Sequence, residues 1–203
     1  MEAKEKNIED KLFCMKRKIW ALIIYVLQAI ILVLMLGAFG SNRWVSHGDG
    51  DYKWTGGLLR VPTGPAEWED VEYIDMAESC DKLFIPCDVF KSLRSGGAAF
   101  CFFEVMAYMS TIVWMTKITF MILQRPFLNN LMVYFWPGIG LGFHILAEII
   151  WSGVTKAKFD GNCKNIEGDE LCSTQGPALF LAITCFYIVA FALFIVFYIK
   201  RFE

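Results

Sequence analysis

The chain reads as an all-α membrane protein, a four-transmembrane-helix bundle with a small extracellular antiparallel β-sheet. Two observations predict this. Four stretches are apolar enough and long enough to cross a bilayer, and the segments between them sort basic residues and cysteines to opposite sides. The overall balance agrees, with 56% hydrophobic and 16% aromatic residues and a positive mean hydropathy. One bundle uses most of 203 residues, so no second globular domain has room.

Residues 1–18 form a cytoplasmic N-terminus ending in Lys16, Arg17 and Lys18. The first span, 19–40, carries no charge over its 22 residues. At about 1.5 Å of rise per residue it covers a hydrocarbon layer of roughly 30 Å. Ala38 and Gly40 make a small-x-small pattern like a signal-peptidase site. The apolar run is longer than the roughly 7 to 15 residues of a signal-peptide core, so it is expected to stay as an anchor.

Residues 41–95 form a first outer loop with ten acidic residues against six basic ones. Tyr52 to Thr55 alternate in character, while Leu58 to Val61 and Val71 to Ile74 are apolar or β-branched runs. Gly48-Asp49-Gly50 and Pro62-Thr63-Gly64-Pro65 are turn signals between them, so a short antiparallel sheet is expected.

The second and third spans, 96–123 and 131–154, are less pure. The second holds Glu104 and Lys117, the third Pro137, His144 and Glu148. Neither shows the charged stripe of a soluble helix of that length. Residues 124–130 make a short cytoplasmic loop, 155–176 a second outer loop with four acidic and three lysine residues, 177–199 the fourth span, and 200–203 a cytoplasmic tail.

Basic residues near the helix ends set the orientation. Lys16 to Lys18, Lys117 with Arg125, and Lys200 with Arg201 fall on one face of a four-span chain. A multi-pass plasma-membrane protein with both termini cytoplasmic is the expectation. Four of the seven cysteines, Cys80, Cys87, Cys163 and Cys172, lie two per outer loop, where an oxidising compartment permits disulfides. Pairing within each loop is the simplest of the three connectivities. A bridge from Cys80 to Cys87 would constrain the unfolded chain by roughly 2.5 kcal/mol in the chain-entropy picture. Cys14, beside the basic cluster, is a plausible palmitoylation position.

The first loop carries a family resemblance. Trp44 follows the first span, then come Trp54-Thr55-Gly56-Gly57-Leu58-Leu59, Cys80 and Cys87, and Arg94 at the mouth of the second span. This resembles the first-loop signature of the claudin and peripheral-myelin-protein-22 superfamily, a tryptophan, a glycine-leucine-tryptophan triplet, two cysteines and an arginine on a four-helix topology. The resemblance implies that Trp44, Gly57 and Leu58 anchor the sheet at the membrane surface. It also implies that Cys80 and Cys87 bridge neighbouring strands and that Arg94 closes the loop onto the bundle. The chain departs from the pattern at Leu59, which stands at the triplet's tryptophan, and in its second cysteine pair and its Lys200-Arg201-Phe202-Glu203 tail. A divergent relative, rather than a tight-junction claudin proper, is the reading.

Inside the membrane, Glu104, His144 and Glu148 are expected at one depth, His144 and Glu148 being i, i+4 on one helix. A lipid-facing carboxylate costs on the order of 2.5–3.5 kcal/mol, so these groups should face inward, pair, or be protonated. Interhelical hydrogen bonding that fixes register is the preferred role, an ion or proton path or a titrating switch the sharper alternative. The glycines at 138, 140 and 142, with Pro137, allow a kink and close helix contact.

No catalytic motif, metal site or cofactor motif is present: H-E-x-x-H, P-loop and G-x-S-x-G patterns are missing, and His47 and His144 are the two histidines. The enzyme alternative is a membrane thiol-disulfide oxidoreductase using the outer cysteine pairs. It requires a reactive C-x-x-C, whereas six residues separate Cys80 from Cys87. The expected function is therefore contact: an accessory subunit of a channel or receptor, or a cell-cell adhesion or barrier component. The expected partners are the lipid bilayer and another membrane protein or copies of itself, met through the outer loops and the third and fourth spans, with no nucleic acid.

Overall fold

Lipid offers no partner to a bare N–H or C=O, so a chain this apolar must close its backbone bonds within helices. A computed structural model describes residues 11–12, 15–48, 53–62, 70–79, 87–123, 130–159 and 171–199. A two-strand turn, β1 (Lys11–Leu12) and β2 (Met15–Lys16), leads into α1 (Arg17–Phe39). Then come β3 (Val45–His47), β4 (Trp54–Gly56), β5 (Arg60–Val61), β6 (Val71–Glu72) and a short helix α2 (Tyr73–Ser79). The long α3 (Cys87–Ile122), α4 (Asn130–Thr155), β7 (Cys172–Ser173) and α5 (Gln175–Ile199) complete the order.

Four of these helices are long and apolar enough to cross a membrane: Lys18–Phe39, Cys87–Ile122, Tyr134–Thr155 and Gln175–Tyr198. Their direction alternates. Trp44, just beyond α1, meets Phe100 near the start of α3, Trp151 near the end of α4 and Phe180 near the start of α5. Those ends form the sheet end of the bundle, and α1 begins and α5 finishes at the other. The core is the inward stripe of each helix, Ile24, Ile31 and Met35 from α1, Phe100, Ala107, Trp114 and Ile118 from α3, and Phe180, Ile183, Tyr187 and Phe194 from α5. The outward faces leave Val33, Leu36, Phe102, Ile149 and Val189 exposed, as lipid contact requires.

The loop segments depart from expectation in three ways. First, α3 begins at Cys87 and not at residue 96, because Phe90, Leu93, Gly97 and Phe100 continue its buried stripe outward at helical spacing. Its 36 residues rise well beyond a bilayer and become a post under the sheet. Second, Val71 to Ile74 is not one strand. The chain turns helical at Tyr73, where Tyr73 and Met76, three apart, both become buried. Third, the strands make two sheets. One is three-stranded, ordered β4-β3-β7 and antiparallel, and the other pairs β5 with β6, also antiparallel. Through β7 the second loop joins the first in a single sheet.

Candidate functional site

The chemistry-bearing residues gather in two places, the junction of sheet and bundle, and the middle of the bundle.

Trp44 organises the junction. Its indole Nε1 donates to the Ala38 carbonyl at 3.0 Å, tying the loop to the last turn of α1. Its backbone N donates to Gly56 at 2.7 Å and its carbonyl accepts from Thr174 at 3.0 Å. The ring is wholly buried in an aromatic box, 4.7 Å from Phe100 and 5.0 Å from Trp151 between centroids, both edge-on. Such pairs contribute about 0.5–1.5 kcal/mol beyond burial. Gly176 leaves room for this indole: a Cβ there would stand 2.9 Å from three of its carbons.

The other motif residues are positioned around this box. Trp54 is buried against Phe90, ring centroids 5.7 Å apart. Gly57 closes a tight turn by donating to the Arg60 carbonyl at 2.9 Å, and its own carbonyl accepts from the buried Tyr73 hydroxyl at 2.9 Å. Burial pushes the Tyr73 hydroxyl pKa up from its ordinary value, so this donor keeps its proton. The Leu58 carbonyl lies directly on Gly97 of α3, where any Cβ would collide with it. Arg94 is exposed on α3, and among the described residues no bond from it reaches the sheet; the contact that joins loop to bundle there is Leu58 on Gly97. Cys87 and Cys172 are disulfide-bonded. Cys80 and Cys163 lie outside the described residues, and so does the pairing.

In the middle of the bundle, α3 and α4 run antiparallel in close register. Gly96 packs on Thr155, and a Cβ on Gly140 would stand 3.2 Å from the Ser110 Cβ. Between these contacts, His144 Nδ1 lies 3.0 and 3.1 Å from the two Glu104 carboxylate oxygens. Both side chains are buried, and the imidazole stacks on Phe180 of α5 with centroids 3.8 Å apart. One hydrogen-bonded pair and one ring stack thereby hold three helices in register. Glu148 lies one turn along α4 from His144, both of its oxygens buried without a hydrogen-bond partner among the described residues.

Two further polar positions escaped sequence reasoning. Gln28, in the middle of α1, is fully buried, and neither amide atom has a hydrogen-bond partner among the described residues. Its signal was available, as the one amide in an uninterrupted apolar run. Tyr187 of α5 hydrogen-bonds Thr111 of α3 at 3.0 Å, a pairing across 76 residues that no local pattern marks. Among the described residues no group of three or more His, Cys, Asp or Glu side chains is arranged to hold a metal ion.

No protein-family model matches the chain, and no curated protein matches it. Fold and site together define a multi-span helical membrane protein in which the two loops at one end share a small, open β-sheet seated on the helix ends.

Proposed function

We propose that this chain acts by contact, as a non-enzymatic accessory subunit of a channel or receptor in the plasma membrane, with the sheet outside and both termini in the cytoplasm. On this reading the sheet leans on the partner's outer domain while α4 and α5 pack against its membrane part. The resemblance of the first loop to claudin and peripheral-myelin-protein-22 proteins supports it. One observation carries it. Strand β3 of the first loop lies between β4 of that loop and β7 of the second, so both loops share one platform, and Trp44 ties that platform to all four spanning helices.

A second reading, like-with-like adhesion or a barrier between cells, draws on the excess of acidic residues in 41–95, which would raise the local cation concentration along a paracellular path. Chemical cross-linking in native membranes, followed by purification of the full chain, separates the two. The accessory reading expects a larger multi-span protein at fixed stoichiometry, with cross-links on residues 44–61 and 171–176. Assemblies made of this chain alone, formed between apposed cells, would replace it with the adhesive reading.

A further inference from the structure

At the sheet end, the final turn of α1, the β4–β5 turn and α3 enclose a cleft of about 240 Å³. Its lining divides into two halves. Phe39, Leu59 and Cys101 are the apolar part of it, and Asn42, Arg60 and Glu72 the polar part. Phe39 is the final residue of the α1 span, so the cleft lies at the level where hydrocarbon gives way to headgroups. We propose that this cleft binds the headgroup of an amine-bearing, zwitterionic glycerophospholipid from the leaflet on the sheet side.

Size, continuity and charge argue for this occupant. The cleft has room for a small polar group together with a few waters. That suits a headgroup and glycerol, and it falls below the roughly 300 Å³ at which enclosed sites for drug-sized ligands begin. Acyl chains must therefore run outside the cleft, and the way is open: Leu36, one turn back from Gly40, is 57% exposed and Val33 is 67% exposed.

Arg60 and Glu72 face each other in the β5–β6 register. One Arg60 nitrogen already holds Asp70 at 2.8 Å, and a guanidinium has five N–H donors, which leaves others for a phosphate. With Asp70 and Glu72 beside one arginine, the mouth carries a net charge of about −1 when all three are ionised. It therefore favours a headgroup that brings an ammonium for Glu72 along with its phosphate, and disfavours a purely anionic one.

The two free cysteines among the described residues supply the readout, since Cys101 lines the cleft and Cys185 is exposed on α5. The full chain, purified in detergent, is treated with N-ethylmaleimide and the alkylation rate at each cysteine is followed by peptide mass spectrometry. Phosphatidylethanolamine is added, or phosphatidylglycerol, or water-soluble glycerophosphoethanolamine. The expected result is that phosphatidylethanolamine slows Cys101 about fivefold with Cys185 unchanged, half-protection requiring more phosphatidylglycerol.

Loss of the guanidinium in Arg60→Ala should raise the half-protecting concentration about tenfold, the equivalent of one charge-assisted bond. Leu59→Trp, at a half-exposed rim position, should fill the cleft and slow Cys101 without added lipid. Glu72→Ala, on an exposed strand position, gives an independent variant and should remove the preference for the amine headgroup. Equal slowing at both cysteines, equal or better protection by phosphatidylglycerol, protection by the soluble headgroup alone, or protection that survives Arg60→Ala and Glu72→Ala would each overturn the proposal.

Discussion

Two regions of the bundle bury polar groups under different rules. At the sheet end, the side chains of Trp44, Tyr73 and Thr155 bond to backbone carbonyls, those of Ala38, Gly57 and Trp151. In the middle, Ser110 and Thr111 also bond to carbonyls one turn back, but there buried side chains bond each other between helices as well, Glu104 to His144 and Thr111 to Tyr187, while Gln28 and Glu148 have no hydrogen-bond partner among the described residues. A bond to backbone fixes where a loop starts and stops. A bond between side chains fixes which helix faces meet, and it is the kind that a rotamer change can remake. The sheet end is thus built to hold one shape, and the middle to choose one helix pairing.

The largest expected effect falls on the sheet end. Trp44→Ala empties the aromatic box and removes the bond to Ala38, which should cost about 3–5 kcal/mol, the usual range for a buried tryptophan. Thermal or denaturant unfolding of the full chain in detergent reads this directly. A cost below about 1 kcal/mol would show that the box does not hold the platform.

The middle should answer through coupling. Glu104→Ala and His144→Ala, singly and together, form a double-mutant cycle. Interhelical hydrogen bonds in a membrane average about 0.6 kcal/mol with a maximum near 1.7. The Glu104–His144 pair, with the imidazole nitrogen 3.0 and 3.1 Å from both carboxyl oxygens, should fall within that range. A coupling near zero would assign register to packing alone.

A paired glycine test compares close packing with open surface. Gly97→Ala drives a Cβ into the Leu58 carbonyl, a backbone atom with nowhere to go, and should cost about 1–3 kcal/mol. Gly142→Ala meets nothing within 4 Å on α4, so it should be neutral or stabilise by up to about 1 kcal/mol from helix propensity. Equal costs would mean that the Leu58 contact can relax.

How much of this was legible in the sequence follows the same division. The spans were legible because lipid imposes one rule on every residue they contain, and the cost of a carboxylate in lipid marked Glu104, His144 and Glu148 as polar positions without saying which would meet. Trp44 and Leu58 were placed by resemblance to a loop pattern, and both lie at the junction. Strand β7 was not legible: two residues carry no period, and its partner lies about 127 positions earlier in the chain. Nor was α2, where β-favouring Val71, Tyr73 and Ile74 masked a helix whose reason is tertiary, the burial of Tyr73 and Met76 beside α3.

The smallest expected effect belongs to Tyr73, and it carries a pH signature. Tyr73→Phe removes the hydroxyl that donates to the Gly57 carbonyl and should cost about 1 kcal/mol near neutral pH. Burial raises the folded-state pKa of this phenol above its unfolded value of about 10. Above that pH the unfolded chain releases the Tyr73 proton while the folded chain keeps it. The unfolded state then binds fewer protons, and stability must fall as pH rises. The contribution is present in full below about pH 10 and is lost progressively above it. Unfolding followed from pH 8 to 11 should therefore show a steeper alkaline loss in the parent chain than in Tyr73→Phe, with the two curves converging as pH rises. Parallel curves would mean that water reaches this hydroxyl and that the turn at Gly57 is not sealed by Tyr73.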